Sequence, residues 1–520
     1  MPARHDRFQT PSRTPLGRFV VLVTWLLAHG LLVGSSSQLR AADRPNVLFI
    51  LSDDLNNRLG CYGDPQVRSP HLDRLAARGV RFERAYCAFP LCGPSRNSML
   101  TGLYPNSTGI FENGQVFRQT IPSHRSLPHA FRDAGYYVVR IGKLYHYNVP
   151  RSVGTNGHDD PGSWEMEINP AGVDRLVELP QVETVPIGQG GGSLAWFASP
   201  HGDRQHTDGM MADDASWVLE RCAARRDRPF FLALGFFRPH MPYLAPKDPY
   251  FDWYPAAEMP VVQGVEEDQR DLPEPAIAQY RHADLQLSEE QRRRARQAYY
   301  ASISFMDAQV GRVLDTLDRL GLAENTIIVF TSDHGYHLGE HGQWHKMSLF
   351  EESARVPLLV VAPGQGVKGA VAASPVSQVD LFPTLAELCG VAAPANLQGQ
   401  SLKPMLVDPQ WTGRGWAVTQ VSRKLPSEAK DAPPQRYFGY SLRTPRWRYT
   451  EWDEGRRGRE LYDHESDPRE LTNVAEQPAH TATLAILAAQ LRDAVKASYP
   501  PSGAAPELKP GTWAPNLTDP

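Results

Sequence analysis

Apolar runs alternate with amphipathic segments along the first two thirds of the chain. Residues 46–52 (Asn-Val-Leu-Phe-Ile-Leu-Ser) form an almost entirely apolar run, and residues 229–237 and 326–331 repeat the pattern. Such runs are typical of strands buried on both faces, whereas the apolar spacing over residues 288–319 predicts a long amphipathic helix. Because helices alternate with buried strands, we predict an α/β fold whose large, mostly parallel sheet is flanked by helices.

Polar side chains follow several of these predicted strands. They are Asp53-Asp54 after the first strand, Gly142-Lys143 after a strand over residues 136–141, Arg238-Pro-His240 after residues 229–237, and Asp333-His334 after residues 326–331. Ligands bind at the carboxyl ends of the strands in open α/β sheets. We therefore expect these residues to lie close together at one site, although they are far apart in the chain.

Composition and charge narrow the classes of function. The 520 residues are 41% apolar and carry a formal net charge of −4, as in an ordinary globular protein. This charge gives no sign of a surface that binds nucleic acid. The five cysteines are irregularly spaced and fit neither a structural zinc site nor a disulfide framework.

The N-terminus has the order of an export signal. Residues 1–18 carry four arginines and no glutamate, residues 19–33 are mainly apolar, and small residues follow. Fifteen apolar residues are fewer than the roughly 20 that a membrane-spanning helix needs. We interpret residues 1–42 as the signal, and we expect an exported protein with no stable membrane span, either periplasmic or extracellular, or lysosomal in a eukaryote.

The rest of the chain divides into three predicted parts. Residues 43–405 form the catalytic domain, residues 406–505 form a smaller C-terminal domain with a short antiparallel sheet, and residues 506–520 form a loose tail. The alternating aromatic residues over 437–452 predict a hairpin in the smaller domain. Residues 244–286 are rich in proline and acidic residues, and we expect a long surface excursion there.

The most specific motif is Cys92-Gly-Pro-Ser-Arg96, followed by Leu100-Thr-Gly102. Pro94 in a first helical turn places Cys92 beside free backbone N–H groups, and Arg96 adds a fixed positive charge. This setting favours an anion and a developing oxyanion. The motif resembles the signature of the type I sulfatases, and locally it is most similar to iduronate-2-sulfatase-like members.

The resemblance implies an alkaline-phosphatase-like fold and an enzyme that hydrolyses sulfate esters. It also implies that a formylglycine-generating enzyme oxidises Cys92 to formylglycine before folding is complete. The implied metal is Ca²⁺, with Mg²⁺ as the less favoured ion. His334 stands where many members have Asn, and this softer ligand leaves the choice between the two ions open. The implied ligands are Asp53, Asp54, Cys92, Asp333 and His334.

Four basic side chains complete the expected site. Lys143 and His146 follow the second signature of the family, which implies that Lys143 contacts a sulfate oxygen and His146 the formylglycine hydroxyl. His240 and Lys346 are the remaining candidates, and three histidines near Lys346 rank below His240: His337, His341 and His345. Lys143, His240 and Lys346 are also the predicted substrate-binding residues, and Arg96 would help to neutralise the sulfate.

The expected reaction uses a hydrated aldehyde at position 92. One hydroxyl attacks sulfur while Asp333 assists proton removal, and His240, helped by Lys346, protonates the leaving sugar oxygen. The second hydroxyl then expels sulfate and regenerates the aldehyde. The expected substrate is a sulfated sugar or uronic acid of a polysaccharide, cut at a chain end.

Two other functions stay open at this point. A phosphatase or phosphodiesterase of the same superfamily would share the fold and the metal ligands. An inactive, exported carbohydrate-binding protein would stack sugars on the aromatic residues of the C-terminal hairpin, which are Tyr437, Tyr440, Trp447, Tyr449 and Trp452.

Overall fold

The computed structural model describes residues 44–187, 192–277, 286–424 and 436–509. The predicted export signal over residues 1–42 and most of the predicted tail lie outside these ranges. Within them, none of the helices combines the length and the apolar character that crossing a bilayer requires. The described residues belong to one compact unit, and the division at residue 405 stays a prediction.

Strands and helices are numbered here in chain order within the described residues. The strands are β1 (Asn46–Asp53), β2 (Val80–Phe82), β3 (Ala85–Tyr86), β4 (Tyr137–Gly142), β5 (Met166–Ile168), β6 (Glu183–Ile187), β7 (Gly192–Ser199), β8 (Phe230–Pro239), β9 (Tyr243–Pro246), β10 (Thr326–Ser332), β11 (His337–Leu338), β12 (Trp344–His345), β13 (Arg355–Val356), β14 (Leu358–Val361), β15 (Ala370–Ala372), β16 (Val376–Ser377), β17 (Ala417–Lys424), β18 (Arg436–Arg443), β19 (Trp447–Trp452) and β20 (Arg459–Asp463). The α-helices are α1 (Pro70–Ala76), α2 (Cys92–Thr101), α3 (Pro105–Thr108), α4 (Leu127–Asp133), α5 (Val173–Leu176), α6 (Thr207–Ala224), α7 (Val265–Asp268), α8 (Glu274–Ile277), α9 (Glu289–Arg319), α10 (Glu351–Ala354), α11 (Leu381–Cys389), α12 (Lys403–Val407) and α13 (Thr481–Ala497).

The central sheet has the order β15-β2-β14-β10-β1-β8-β4-β5 in the described part of the chain. Strands β10, β1, β8, β4 and β5 are parallel to one another, and β14 runs antiparallel to both of its neighbours, β10 and β2. The predicted mostly parallel sheet is therefore confirmed. The parallel order brings the carboxyl ends of β1, β4, β8 and β10 to one edge.

Both faces of the sheet are covered, as the apolar runs predict. Along β1, Leu48 and Ile50 belong to the apolar core on one face, which includes α9 residues such as Ile303. Val47 and Phe49 belong to the core on the other face, which includes α11. Helix α9 begins after Ser288, whose side chain accepts a hydrogen bond from the backbone of Gln291.

The C-terminal sheet is antiparallel and has the order β17-β18-β19-β20. Its apolar face packs against α13 through residues such as Leu442 and Leu491. Tyr449 and Trp452 are fully buried, and Tyr437 is only 9% exposed, so these aromatic residues contribute to packing and offer no open platform for a sugar. The predicted hairpin is present. Tyr440 and Trp447 are partly buried against the same core, so the contacts of these aromatic residues favour packing over the alternative of sugar binding.

Part of the predicted surface excursion is wrong. Strand β9 pairs in parallel with β7, and the residues that follow it, including Tyr250 and Phe251, are buried in the main core. The sequence of this segment does not predict its burial, because proline and acidic residues dominate it and its aromatic residues follow neither the strand nor the helix period. Residues 278–285 lie outside the described residues.

Candidate active site

The strand order places the predicted polar residues at one edge of the sheet. Asp53 is the last residue of β1 and Asp333 directly follows β10, which pairs with β1 up to Ser52 and Ser332. The backbone N–H of Asp54 donates to Oδ1 of Asp333 over 3.1 Å. The two acidic pairs, 279 residues apart in the chain, are therefore in direct contact.

Cys92 lies beside these carboxylates at the start of α2. Its Sγ is 4.0 Å from Oδ1 of Asp54, 3.4 Å from Nε2 of His334 and 3.2 Å from Nζ of Lys346. The residue is 1% exposed, but its thiol faces charged groups and is not enclosed by apolar side chains alone. Residue 92 is therefore surrounded by an acidic, an imidazole and an ammonium group.

Four residues offer ligand atoms to a metal ion. One atom each from Asp54, Cys92, Asp333 and His334 lie within 4.8 Å of one another, and all four residues are buried. Nδ1 of His334 donates to the carbonyl oxygen of Gly335 over 2.9 Å, so Nε2 faces the carboxylates of Asp54 and Asp333 at 3.4 and 3.5 Å. Two carboxylates and an imidazole in this arrangement fit a hard divalent cation.

Asp53 is not part of this cluster, although it is one of the five predicted ligands. Its Oδ2 accepts a hydrogen bond from Nζ of Lys143 over 2.5 Å, and its Oδ1 accepts one from Nη2 of Arg96 over 3.0 Å. The structure therefore brings four of the predicted ligands together, while the fifth, Asp53, is paired with the basic side chains of Lys143 and Arg96.

Arg96 lies between the two acidic strand ends. It is fully buried, and its Nε donates to Oδ2 of Asp333 over 2.9 Å while its Nη2 donates to Asp53. Its Nη1 donates to the carbonyl oxygen of Lys143 over 2.5 Å. All three nitrogens contact protein groups, which supports a role in positioning the carboxylates and leaves direct contact with sulfate as a prediction.

The remaining basic residues surround Cys92. Lys143 directly follows β4, Nζ of Lys346 lies 2.5 Å from Oδ1 of Asp54, and Nε2 of His240 lies 3.7 Å from Oδ2 of Asp54. His146 lies close enough to the Cys92 thiol for the two groups to influence each other electrostatically. The side chains of His240 and Lys346 are 14% and 12% exposed, whereas that of Lys143 is inaccessible. Solvent therefore reaches the site beside His240 and Lys346.

The electrostatics of the site favour an anion at position 92. Burial raises the pKa of the Cys92 thiol, but the charges of Lys143 and Lys346 outweigh burial and leave the pKa well below its ordinary value. Burial alone would raise the pKa of Asp333, but the positive charges of Arg96 and its neighbours outweigh burial and leave the pKa below its ordinary value. Burial, with the nearby charge of Lys143, lowers the pKa of His146 to about 4. Asp333 is therefore ionised and His146 neutral at neutral pH, whereas burial raises the pKa of Asp54 above its ordinary value.

Three tyrosines behind Asp54 were not predicted from the sequence. The hydroxyl of Tyr299 donates to the carbonyl oxygen of Asp54 over 2.7 Å, and its ring stacks on Tyr336 at 5.3 Å between centroids. The hydroxyls of Tyr336 and Tyr243 lie 2.7 Å apart. Tyr336 follows the Asp333-His334-Gly335 run, which is the only signal in the sequence for this group.

The three lower-ranked histidines contact other protein groups. Nε2 of His337 lies 2.6 Å from the Ser348 hydroxyl, and Nδ1 of His341 lies 3.0 Å from Oδ2 of Asp268. Nδ1 of His345 lies 3.0 Å from the Tyr336 hydroxyl. None of the three is in the cluster around Cys92 in the described residues.

The fold and the site together define a hydrolase with an alkaline-phosphatase-like sheet. A sequence model of the family described as Sulfatase matches residues 45–391, and one described as N-sulphoglucosamine sulphohydrolase, C-terminal, matches residues 339–497. The chain therefore belongs to the sulfatase family, and it is a sulfuric ester hydrolase.

Several relatives match most of the chain. It is 34% identical over 451 residues to a sulfatase of Formosa agariphila, which covers 84% of both chains. It is 31% identical over 523 residues to iduronate 2-sulfatase of Mus musculus, which covers 85% of this chain and 93% of the relative. It is 32% identical over 470 residues to choline-sulfatase of Rhizobium meliloti, with 86% and 85% covered.

A solved structure with the same fold has a different named substrate. The phosphonate monoester hydrolase of Agrobacterium radiobacter superposes with a TM-score of 0.70 at 25% identity, covering 86% of this chain and 95% of the other. The alkaline-phosphatase-like architecture is thus shared by enzymes with different named substrates, and the choice between substrates depends on the site.

We expect the Arg96→Gln variant to lose about 3–5 kcal/mol of the free energy of unfolding, because it leaves Asp53 and Asp333 buried without their shared cation. Urea unfolding of the purified protein measures this loss. The control is Arg446→Gln, which removes a solvent-exposed pair with Asp463 and should change stability little. If Arg96→Gln is as stable as the parent chain, Arg96 does not position these carboxylates.

Proposed function

We propose that the protein hydrolyses sulfate esters of saccharides with Cys92 oxidised to formylglycine and with a bound divalent cation, calcium in preference to magnesium. The observation that carries the proposal is the position of the Cys92 thiol within one group of Asp54, Asp333, His334 and Lys346. A hydrated aldehyde at position 92 would supply one hydroxyl to attack sulfur and a second to release sulfate.

The cation would be held by Asp54, Asp333, His334 and residue 92. Bound there, it would supply positive charge to the sulfate oxygens and to the oxygen of residue 92. Asp53 is retained as a proposed ligand, although its oxygens contact Lys143 and Arg96 in the described structure. Oxygen ligands in the majority favour calcium, and the imidazole is the softer member of the set.

The basic residues and Asp333 would contact different groups of the ester and of residue 92. Lys143 and Lys346 would bind sulfate oxygens, since the Lys346 ammonium lies beside Asp54 and Cys92 and the Lys143 ammonium lies beside Asp53 at the same edge of the sheet. Asp333, kept ionised by Arg96, would accept the proton of the attacking hydroxyl. His146 would donate to or accept from the hydroxyl at position 92.

His240 would protonate the leaving oxygen. Its Nδ1 donates to the carbonyl oxygen of Met241 over 2.6 Å, which turns Nε2 toward Asp54 and the site. His240 and Lys346 are the site residues that reach solvent, so the leaving alcohol would lie between them and the outside. Because the sulfate must reach fully buried groups, we propose a substrate cut at a chain end.

The saccharide part of the proposal rests on two supports. One relative is an iduronate 2-sulfatase, and the sequence around Cys92 and Lys143 resembles that group. We propose a sulfated uronic acid or related sugar of a polysaccharide, met after export from the cytoplasm. Maturation would require a formylglycine-generating enzyme, since Cys92 is buried once the chain has folded.

Phosphonate or phosphate ester hydrolysis is the second candidate, because a phosphonate monoester hydrolase shares the fold. The site offers ligands for one cation around Cys92 in the described residues, and the lysines suit either tetrahedral anion.

We expect the Cys92→Ala variant to release sulfate at least about a thousandfold more slowly than the parent while it unfolds at a similar urea concentration. In active parent protein, mass spectrometry of the peptide containing residue 92 should show a mass lower than that of unmodified cysteine. Cys92→Ser is the matched control, because serine forms a sulfate ester but has no second hydroxyl to release it. Intact cysteine in fully active protein would contradict the aldehyde.

We expect turnover of 4-nitrophenyl sulfate to exceed that of 4-nitrophenyl phosphate and of a phenyl phosphonate monoester by at least about tenfold in kcat/KM, since the motif around Cys92 is that of sulfatases. A panel of defined sulfated uronic acids, hexosamines and choline sulfate then ranks the natural classes. Higher kcat/KM on the phosphonate would favour the second candidate, and activity on choline sulfate alone would exclude the saccharide.

We expect a chelator to lower the unfolding temperature and calcium to restore it. At a hundredfold excess over Kd, bound calcium should add about 2.7 kcal/mol to the free energy of unfolding. Asp54→Asn should abolish this calcium-dependent shift. The control is Asp315→Asn, because this exposed carboxylate pairs with Arg74 on the surface and should leave the shift unchanged. A full shift in Asp54→Asn would place the ion elsewhere, and a larger shift with magnesium would reverse the proposed preference.

A further inference from the structure

The backbone that carries Lys346 has an unusual conformation. His345 and Met347, on either side of Lys346, have φ angles of 70° and 72°, a left-handed region that β-carbon-bearing residues rarely adopt. Such residues persist only where surrounding contacts hold them. The direction in which Lys346 points therefore depends on whatever fixes residues 345–347.

Two contacts hold the backbone of Met347 from opposite sides. Its N–H donates to the carbonyl oxygen of Pro90 over 3.1 Å, two residues before Cys92. Its carbonyl oxygen accepts a hydrogen bond from Nη2 of Arg423 over 2.8 Å. The first contact ties Lys346 to the nucleophile segment, and the second ties it to strand β17 of the C-terminal sheet.

Arg423 is itself fixed in place. It is 5% exposed, its Nε donates to the carbonyl oxygen of Pro275 over 3.0 Å, and its guanidinium lies 5.1 Å from the ring centroid of Trp452. A planar guanidinium offers several donors in a rigid fork, which lets the side chain of Arg423 bind the carbonyl oxygens of residues 275 and 347 at once. Lysine has neither the fork nor the stacking plane.

We infer that Arg423 is a positioning residue for the reaction: through the Met347 carbonyl it holds Lys346 against Asp54 and Cys92. This inference rests on the proposed function of Lys346 in binding sulfate and assisting protonation of the leaving oxygen. Arg423 touches neither Cys92 nor the other site residues in the described structure, so its effect on the reaction passes through residues 345–347. The C-terminal sheet thus takes part in the chemistry without contributing a group that touches the ester.

The test is a double-mutant cycle with Arg423→Gln and Lys346→Ala in the full-length enzyme. We expect Arg423→Gln alone to lower kcat/KM by about tenfold to a hundredfold, because a displacement of about 1 Å in a catalytic group has effects of that size. In the Lys346→Ala background the same substitution should change kcat/KM by less than about twofold. An undiminished effect in that background would overturn the inference.

A second measurement separates positioning from loss of stability. Since nitrophenolate leaves without a proton, Arg423→Gln should lower kcat more for a sugar or alkyl sulfate than for 4-nitrophenyl sulfate. The control is Arg312→Gln, which also removes a hydrogen bond to a main-chain carbonyl, that of Gly209 at 3.0 Å. We expect this control to lower the unfolding temperature with equal kcat ratios for the two substrates, and equal ratios in Arg423→Gln would overturn the inference.

The cycle also distinguishes the two proposals. Full activity of Lys346→Ala would refute the proposed role of Lys346 itself. Loss of activity in Lys346→Ala with an unaffected Arg423→Gln would leave that role intact and refute only the role of Arg423. If Arg423→Gln does not fold, Arg423→Lys keeps the charge and loses the fork, and it should show the same substrate dependence.

Discussion

One buried guanidinium makes the edge of the central sheet possible. Parallel pairing of β1 with β10 forces the carboxylates of Asp53, Asp54 and Asp333 into a space from which water is excluded. Uncompensated charges there would cost several kcal/mol each. Arg96 contacts the first and the last of these carboxylates, and lysines contact the first two. The strands, the carboxylates and these basic side chains therefore depend on one another, because removing one charged side chain leaves a buried opposite charge without its partner.

This constraint explains which parts of the site were accessible from the sequence. The apolar runs predict the strands, parallel pairing predicts that their ends meet, and the motif at Cys92 identifies the family. What a side chain does at the meeting point is a different question. Asp53 and Asp54 are adjacent and chemically identical, yet one contacts Lys143 and Arg96 and the other faces Cys92. The left-handed backbone conformation of Asp54, with φ of 61°, directs the two side chains to different partners, and the residue type alone does not predict this conformation.

The same limit applies to residues that act from a distance. Arg423 has no motif, because its partners are main-chain carbonyl oxygens, which every residue possesses. The three tyrosines behind Asp54 come from separate segments and meet only in the folded chain. In the C-terminal sheet, alternating aromatic residues are compatible with both packing and sugar binding, and the burial of Tyr449 and Trp452 in the folded chain favours packing. Sequence periodicity shows which face a residue occupies, and contact decides what the residue does there.

The environment of position 92 suits every chemical form that the proposed pathway places there. Lys143 and Lys346 hold the pKa of an unmodified thiol well below its ordinary value, and the same charges would stabilise an oxygen anion or a sulfated group at that position. Because the folded residue is 1% exposed, however, an enzyme that oxidises it has no access in this state. The burial of residue 92 would thus require its modification to precede folding. The charges around position 92 would account for its reactivity, and its burial for the order of the events that prepare it.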